Sequence, residues 1–485
     1  MTKGGLWAPL FTKGRAMDLT SLSATALRHG LDAQSFSAAE LMAATLDRVE
    51  TLNPSLNAII SLRPREELMA EARAADRAGP GGPLRGIPMA VKDLVATKGL
   101  RTTWGSPVFA DHIPDADDLV AARLRAAGVI FIGKTNVPEW GQGSHSFNPI
   151  FGVTRNPYDT SLSAGGSSGG AAAALAARFV ALADGSDMMG SLRNPAAFCN
   201  VYGFRPTWGL VPGDAGQEAF LSTLATEGPM ARDPQDLALL LDCLAGPNPQ
   251  MPFDRETPKF SPLDPMSLAG RRIGWLGDWG GAYACEPGIL ALCETALTTL
   301  ADLGATVEPV APPFPAEKLW DSWITLRAML SASGKRALYD DPGKRALTKP
   351  ETIWEIERGL KLGAAEVYAA SQIRSDWFAA AARLFDRYDA LVLPTAQVWP
   401  FPADWRWPRA IGERKMDTYH RWMEVVIPAS LAGLPALNLP VGFGANGLPM
   451  GMQLIGRTGA DLPLLAMGET YHRATDWPGR FPPPL

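Results

Sequence analysis

Apolar positions along the chain change period several times, and the changes mark its elements. From residue 18 to 62 they recur at three- and four-residue intervals, the spacing of amphipathic helices. One helix is predicted to open near Ser21 and Ser23. A second follows Ser37 through Leu41, Leu46, Val49 and Leu52 up to Asn53-Pro54, with serine as N-cap and proline as stop. Residues 64–77 read as an exposed helix, and Gly79-Pro80-Gly81-Gly82-Pro83 as a break. Residues 87–95 have the continuous apolar character of a buried strand, interrupted by Lys92 and Asp93. Polar residues at core positions often mark function. A helix over 117–127 and a strand over 129–132 lead into Gly133-Lys134-Thr135-Asn136. Beyond Pro206 come a helix at 233–245, a strand at 272–275, a helix at 286–303 and a strand at 307–310. Helices around 320–330, 352–362 and 364–388 follow, then a strand at 391–394, two strands in 433–442 and 448–456, and a helix at 462–475. Strands alternating with helices predict an α/β fold.

Small residues concentrate at 161–206. Gly165-Gly166-Ser167-Ser168-Gly169-Gly170 is a glycine and serine turn, and residues 171–177 are nearly all alanine, the best helix former. Residues 178–183, with Phe179, Val180 and Leu182, read as a short strand, and 184–193 as a second turn holding Ser191. A helix of about ten residues spans about 15 Å, and a strand of about six returns about 20 Å. The two turns are therefore predicted to meet, with Ser167 and Ser191 in one pocket. Two Gly/Ser loops around an ordinary helix fit the same residues equally well.

Composition narrows the class. The 485 residues are 46% hydrophobic and 20% charged, with a net charge of −5. These values suit a globular core, in one large domain or two or three smaller ones. The acidic balance argues against a nucleic-acid groove, and no apolar run is long enough to cross a membrane. Residues 1–16 lack a sustained apolar stretch and read as a flexible extension ahead of Met17 rather than a signal peptide. Cys199, Cys243, Cys285 and Cys293 show no CxxC spacing and read as free thiols of a cytoplasmic protein.

Three kinds of chemistry compete. Gly165-Gly166-Ser167-Ser168-Gly169 matches G-x-S-x-G, but a nucleophile elbow needs a strand directly before it, and the preceding residues are turn-like. Its base would be His420 or His472. Metal and nucleotide chemistry find no support: no HExxH, no Cys/His cluster, no phosphate-binding glycine loop, so neither metal nor cofactor is expected. The third is a lysine base. Lys92, buried at a strand, would lose its proton readily and could then take one from a serine hydroxyl. An ion pair with Asp93 is the alternative.

The ordered set of segments resembles the amidase signature family of serine hydrolases. The matching pieces are Gly86-Ile-Pro-Met-Ala-Val-Lys-Asp93, Thr102-Thr-Trp-Gly-Ser106, Gly133-Lys-Thr-Asn136, Gly165-Gly-Ser-Ser-Gly-Gly170, Gly185-Ser-Asp-Met-Met-Gly-Ser-Leu-Arg193, Pro195-Ala-Ala-Phe-Cys199 and Gly203-Phe-Arg-Pro206. Gly228-Pro-Met-Ala-Arg232, Gly433-Leu-Pro435 and Gln453-Leu-Ile-Gly456 continue the series. The resemblance implies a single large domain over 17–485, its mixed β-sheet core sandwiched between helices, with a variable substrate-covering region at about 316–422. It also implies a Ser–cis-Ser–Lys triad: Lys92 as base, Ser167 as the relay after a cis peptide bond, and Ser191 as nucleophile. The oxyanion would be held by backbone amides of Met188, Met189, Gly190 and Ser191. Two positions depart from the family pattern. Met189 stands where the family has a first glycine before the nucleophile, and Ala164 where it often has proline. Asp187 and Arg193 read as supports of the turn.

The function implied is amide C–N cleavage through an acyl-enzyme on Ser191, as in aryl acylamidases and urethanases, so that anilides and carbamates come within range. The alternative is the catalytic subunit of a glutamine-dependent tRNA amidotransferase, whose matching stretch residues 213–227 do not resemble. Eight of the fifteen tryptophans lie in 316–422, which suggests an apolar or aromatic small-molecule substrate. The same tryptophans would equally serve to pack that region's own helices. No nucleic-acid or membrane partner is expected, and a homodimer stays open.

Overall fold

Eight strands form the central sheet, in the order Thr306–Pro309, Arg272–Trp275, Ala390–Pro394, Pro449–Ile455, Ala436–Phe443, Tyr202–Arg205, Thr226–Ala231 and Leu182–Asp187. The first two pairings are parallel and the others antiparallel, so the sheet is mixed. The computed structural model describes residues 18–79, 81–214, 218–253 and 255–485; the extension read at 1–16 lies outside the described residues. A second, three-stranded sheet holds Ile59–Ile60, Ile130–Thr135 and Pro88–Lys92, the last two parallel. Its strand Pro88–Lys92 packs on Leu182–Asp187, the edge of the large sheet. Lys92 therefore comes from one sheet and the segment before Ser191 from the other.

Local chemistry sets most boundaries. Ser23 caps helix Ala24–Asp32 by accepting from the Ala26 amide, and Ser37 with Glu40 forms a capping box at the start of Ala38–Leu56, satisfying amides that have no partner within the helix. That second helix does not stop at Asn53-Pro54. Pro54 lies in its last turn. Asn53 ends it instead, its Oδ1 accepting from the amides of Ala58 and Ile59, both at 2.9 Å.

The fold-back at 161–206 is present with one shift. Helix Gly169–Ala176 is buried throughout. A Cβ on Gly170 would lie 2.3 Å from the Asn136 amide nitrogen, so only glycine lets the helix begin against the end of strand Ile130–Thr135. The returning strand is Leu182–Asp187, not 178–183. Arg178 takes a positive φ of 59° and reverses the chain, and the apolar residues 179–181 are buried in the reversal. Asp184, Ser186 and Asp187 thus lie on the strand, and the second turn shrinks to 188–192.

Four of the eight tryptophans in 316–422 serve the core. Helices Ala316–Gly334, Pro350–Gly359 and Ala364–Leu384 follow one another there, the first packing on both others. Trp320, Trp323, Trp377 and Trp422 are buried in the same apolar cluster as the strand residues Leu391, Val392 and Leu454. Burying an aromatic ring removes a large apolar area from water, and that accounts for these four without a substrate. The other four, of which Trp354 and Trp405 are exposed, are not accounted for in this way. All four cysteines are free, and no described helix is long and apolar enough to cross a membrane.

Candidate active site

Lys92 ends strand Pro88–Lys92, and alternation along a strand sends neighbouring side chains to opposite faces. Asp93 accordingly turns away, accepting from the amides of Thr103 at 3.0 Å and Gly105 at 3.4 Å. The Lys92 amine enters the space between the two sheets. It donates to Ser167 Oγ at 3.0 Å, Ser168 Oγ at 2.8 Å and Ser186 Oγ at 2.8 Å. Burial pushes its pKa down to about 8, against Glu227, Asp184 and Asp187, which hold the proton on. The Asp184 carboxylate accepts the Lys92 backbone amide at 3.1 Å. An ion pair with Asp93 is not formed; the amine meets three hydroxyls instead.

The Gly166–Ser167 peptide bond is cis. The turn around it is held by residues 144–146: Ser144 Oγ donates to the Gly166 carbonyl at 2.6 Å, Ser146 Oγ to the Ser167 carbonyl at 3.3 Å, and the Gly169 amide donates to Ser146 Oγ at 3.1 Å. The second turn meets the first where the Ser168 amide donates to the Ser191 carbonyl at 3.2 Å. Lys92, Ser167 and Ser191 are all buried and share this junction.

Asp187 organises the second turn. Its carboxylate accepts from Arg193 Nε at 2.9 Å, from Arg205 Nη1 at 3.3 Å, and from the amides of Gly190 at 2.8 Å and Leu192 at 3.2 Å. Burial alone would raise its pKa, but Arg193 and Arg205 hold the carboxyl well below the usual range. Arg193 continues to Ser430 Oγ at 2.7 Å, tying the turn to helix Ile427–Ala432. The Gly190 amide is thus committed to Asp187, a correction to the four expected oxyanion donors. The amides of Met188, Met189 and Ser191 make no hydrogen bond among the described residues.

The departure at Met189 is accommodated. Gly190 has φ +80°, and a Cβ there would lie 2.6 Å from Asn194 Oδ1; the turn requires glycine at this position only. Met189 keeps a negative φ and buries its side chain in the core. Met188 points the other way, its sulfur 3.4 Å from Arg327 Nη1. Arg327 pairs with Glu355 at 2.6 Å and donates to the Tyr419 hydroxyl at 2.8 Å, while Gln142 donates to Glu355 at 3.0 Å. The region 316–422 therefore reaches the turn at Met188 through Arg327.

Neither histidine weighed as an elbow base hydrogen-bonds to Ser167 among the described residues. His420 is enclosed by Trp320 and Trp354 and stacked on Tyr419. His472 approaches the Tyr202 hydroxyl at 3.2 Å. No strand leads into the first turn, only isolated bridges at Leu162 and Ser163. Sequence reasoning missed Ser168 and Ser186 as partners of Lys92, and Ser144 and Ser146 as supports. Each is a single serine whose role depends on an element distant in sequence.

Among known proteins, the chain is 36% identical to a glutamyl-tRNA(Gln) amidotransferase subunit of Moorella thermoacetica, over 96% of this chain and 99% of that one. It is 38% identical to the corresponding subunit of Thermus thermophilus, over 90% and 93%. In structure it is similar to a bacterial aryl acylamidase of the amidase signature family, with a TM-score of 0.89 and 28% identity over 96% of this chain and 99% of that one. The glutamyl-tRNA(Gln) amidotransferase subunit of Thermotoga maritima gives a TM-score of 0.75 and 29% identity over 94% and 96%. The Amidase family model matches residues 40–465. With the lysine and two serine turns joined as described, and with this match over most of its length, the chain belongs to the amidase family.

Proposed function

We propose that the chain cleaves a carboxamide C–N bond by acyl transfer to Ser191, with Ser167 as relay and Lys92 as base. The observation that carries this reading is the 3.0 Å hydrogen bond between Lys92 Nζ and Ser167 Oγ, at a junction shared with Ser191. In the neutral form Lys92 accepts the Ser167 proton, Ser167 takes that of Ser191, and Ser191 Oγ attacks the carbonyl carbon. The amides of Met188, Met189 and Ser191 hold the oxyanion. The proton returns through Ser167 to the leaving nitrogen, and the acyl group passes from Ser191 to water.

Two finer readings differ in substrate. The amidotransferase relatives, matched along nearly their full length, favour a subunit of a glutamine-dependent amidotransferase, with glutamine as amide donor. They support it better than the anilide or carbamate hydrolase is supported, since half of the tryptophans in 316–422 are core residues. In favour of a free-standing hydrolase stand the TM-score of 0.89 against the aryl acylamidase and the pairing of Arg327 with Glu355, which leaves little net charge to attract an amino acid. The test is to incubate the purified chain with glutamine, an anilide, an aryl carbamate and an aliphatic amide, and to follow ammonia or amine release and acylation of Ser191 by mass. Glutamine turnover alone selects the amidotransferase reading, and anilide or carbamate turnover the hydrolase. Turnover that persists in Ser191→Ala overturns both.

A further inference from the structure

Ser186 and Glu227 stand opposite one another where Leu182–Asp187 and Thr226–Ala231 pair antiparallel. Residues opposed in this way project to the same face, with Cβ atoms about 5 Å apart. The Ser186 hydroxyl accepts from Lys92 Nζ at 2.8 Å, so Glu227 lies on the face that the lysine amine occupies. Its Oε2 is buried without a hydrogen-bond partner. Glu227 also borders a cavity of about 300 Å³ shared with Leu94, Val95 and Thr226. Nothing in the chemistry described so far employs it.

A carboxylate oxygen buried with an empty acceptor is costly, and so is a buried ammonium with no carboxylate among its hydrogen-bond partners. One proton distributed between them relieves both. The pair is either Lys92–NH3⁺ with Glu227–COO⁻ or Lys92–NH2 with Glu227–COOH; one N–H bond is exchanged for one O–H bond and the net charge stays zero. Three hydroxyls and, at 3.4 Å, the Ser186 carbonyl surround Lys92 and suit the three donors of an ammonium. The neutral amine instead offers a lone pair for the Ser167 proton.

We propose that Glu227 is a positioning residue for the Lys92 base: its carboxylate retains the proton on the amine and so sets the pH at which Lys92 becomes free to accept from Ser167. This rests on the base, relay and nucleophile roles proposed above. Burial brings the two groups into one range, Lys92 down to about 8 and Glu227 up to about 8. The other charges facing the pair are Asp184 and Asp187 on the Ser186 strand, and Asp118 and Asp214 on the cavity side. Asp187 is neutralised by Arg193 and Arg205, and burial raises the carboxyls of Asp184 and Asp118. Of the charges around Lys92, Glu227 acts on it most strongly.

The experiment follows Ser191 without needing the natural substrate. A fluorophosphonate probe labels wild type, Glu227→Gln and Glu227→Asp from about pH 6 to about pH 10, with the site mapped by peptide mass. In wild type the labelling rate rises with pH. Loss of the carboxylate in Glu227→Gln moves that rise down by about one pH unit, giving about tenfold faster labelling on the acid side, and Glu227→Asp moves it back toward wild type. Coincident profiles for wild type and Glu227→Gln overturn the proposal while leaving Ser191 as nucleophile. Absence of labelling at Ser191 in wild type overturns the nucleophile reading and the proposal with it. Should Glu227→Gln not fold, Glu227→Leu carries the same expectation. Failure of both to fold counts against the proposal, since it assigns Glu227 a role in charge and not in packing.

Discussion

The Ser168 amide donates to the Ser191 carbonyl at 3.2 Å, and this contact joins two turns that leave opposite ends of a helix and a strand. It places Ser191 one residue from the serine that Lys92 contacts at 3.0 Å. Residues acting as one unit lose their effect together. Ser191→Ala, Ser167→Ala and Lys92→Ala are each expected to lower kcat/KM by about 10³-fold or more, and the Lys92→Ala/Ser191→Ala double variant to do little worse than either. Steady-state kinetics on any amide that the wild type turns over decides this. Additive losses would contradict a shared proton path.

The pH dependence follows from Lys92. Burial lowers its pKa from 10.5 to about 8, and only the neutral amine serves as base. The value of kcat/KM should therefore rise with pH and level off above about 8, well short of an ordinary lysine. Stability carries the same sign. Between about 8 and 10.5 the unfolded chain holds this proton and the folded chain does not, so the Lys92 contribution grows more favourable with pH across that window. Urea unfolding at the two ends of the window should show the gain in wild type and its loss in Lys92→Met.

The sequence carries some of this arrangement and conceals the rest, for physical reasons. Lys92 stands out because a charged residue interrupts an apolar strand, and Ser167 and Ser191 because glycines surround them. Arg272–Trp275 is readable to the residue, its apolar run being bounded on both sides. Ser186 and Glu227 carry no local signal, since their meaning lies in the register of two strands far apart in sequence. The strand before Ser191 reads too early because 178–183 is the more apolar run. The chain instead uses those residues for a buried reversal and builds the strand from Leu182–Asp187, whose polar side chains have partners in Lys92, Arg193 and Arg205. Tryptophan count misleads about the substrate because burial in a core and exposure in a pocket leave the same composition.

Asp187 joins two arginines to the turn that holds Ser191, with all three side chains fully buried. Removing one member of a buried ion network leaves the others uncompensated, at about 3–5 kcal/mol. Asp187→Asn should lose about that much stability by urea denaturation. The folded carboxyl lies below its ordinary value, so its contribution is complete above that value and is lost as pH falls toward the folded one. Wild type should accordingly destabilise on acidification below about pH 4 more steeply than Asp187→Asn. Equal slopes would remove Asp187 as the cause.

Gly190 and Met189 make opposite demands on adjacent positions. A Cβ at Gly190 would lie 2.6 Å from Asn194 Oδ1 and 3.0 Å from Val426, at φ +80°. Gly190→Ala must therefore displace the turn that aims the oxyanion amides, and the loss of one such donor costs about 10²-fold in kcat. Met189 contributes a core side chain and a backbone amide, and only the first changes in Met189→Ala. That variant should lose about 2–4 kcal/mol to the cavity while its kcat per folded molecule stays near wild type. Thermal unfolding and kcat measured on the same preparations separate the two effects. If Met189→Ala instead lost activity at unchanged stability, its side chain would belong to the substrate pocket, and the turn's tolerance of methionine would need another explanation than burial in the core.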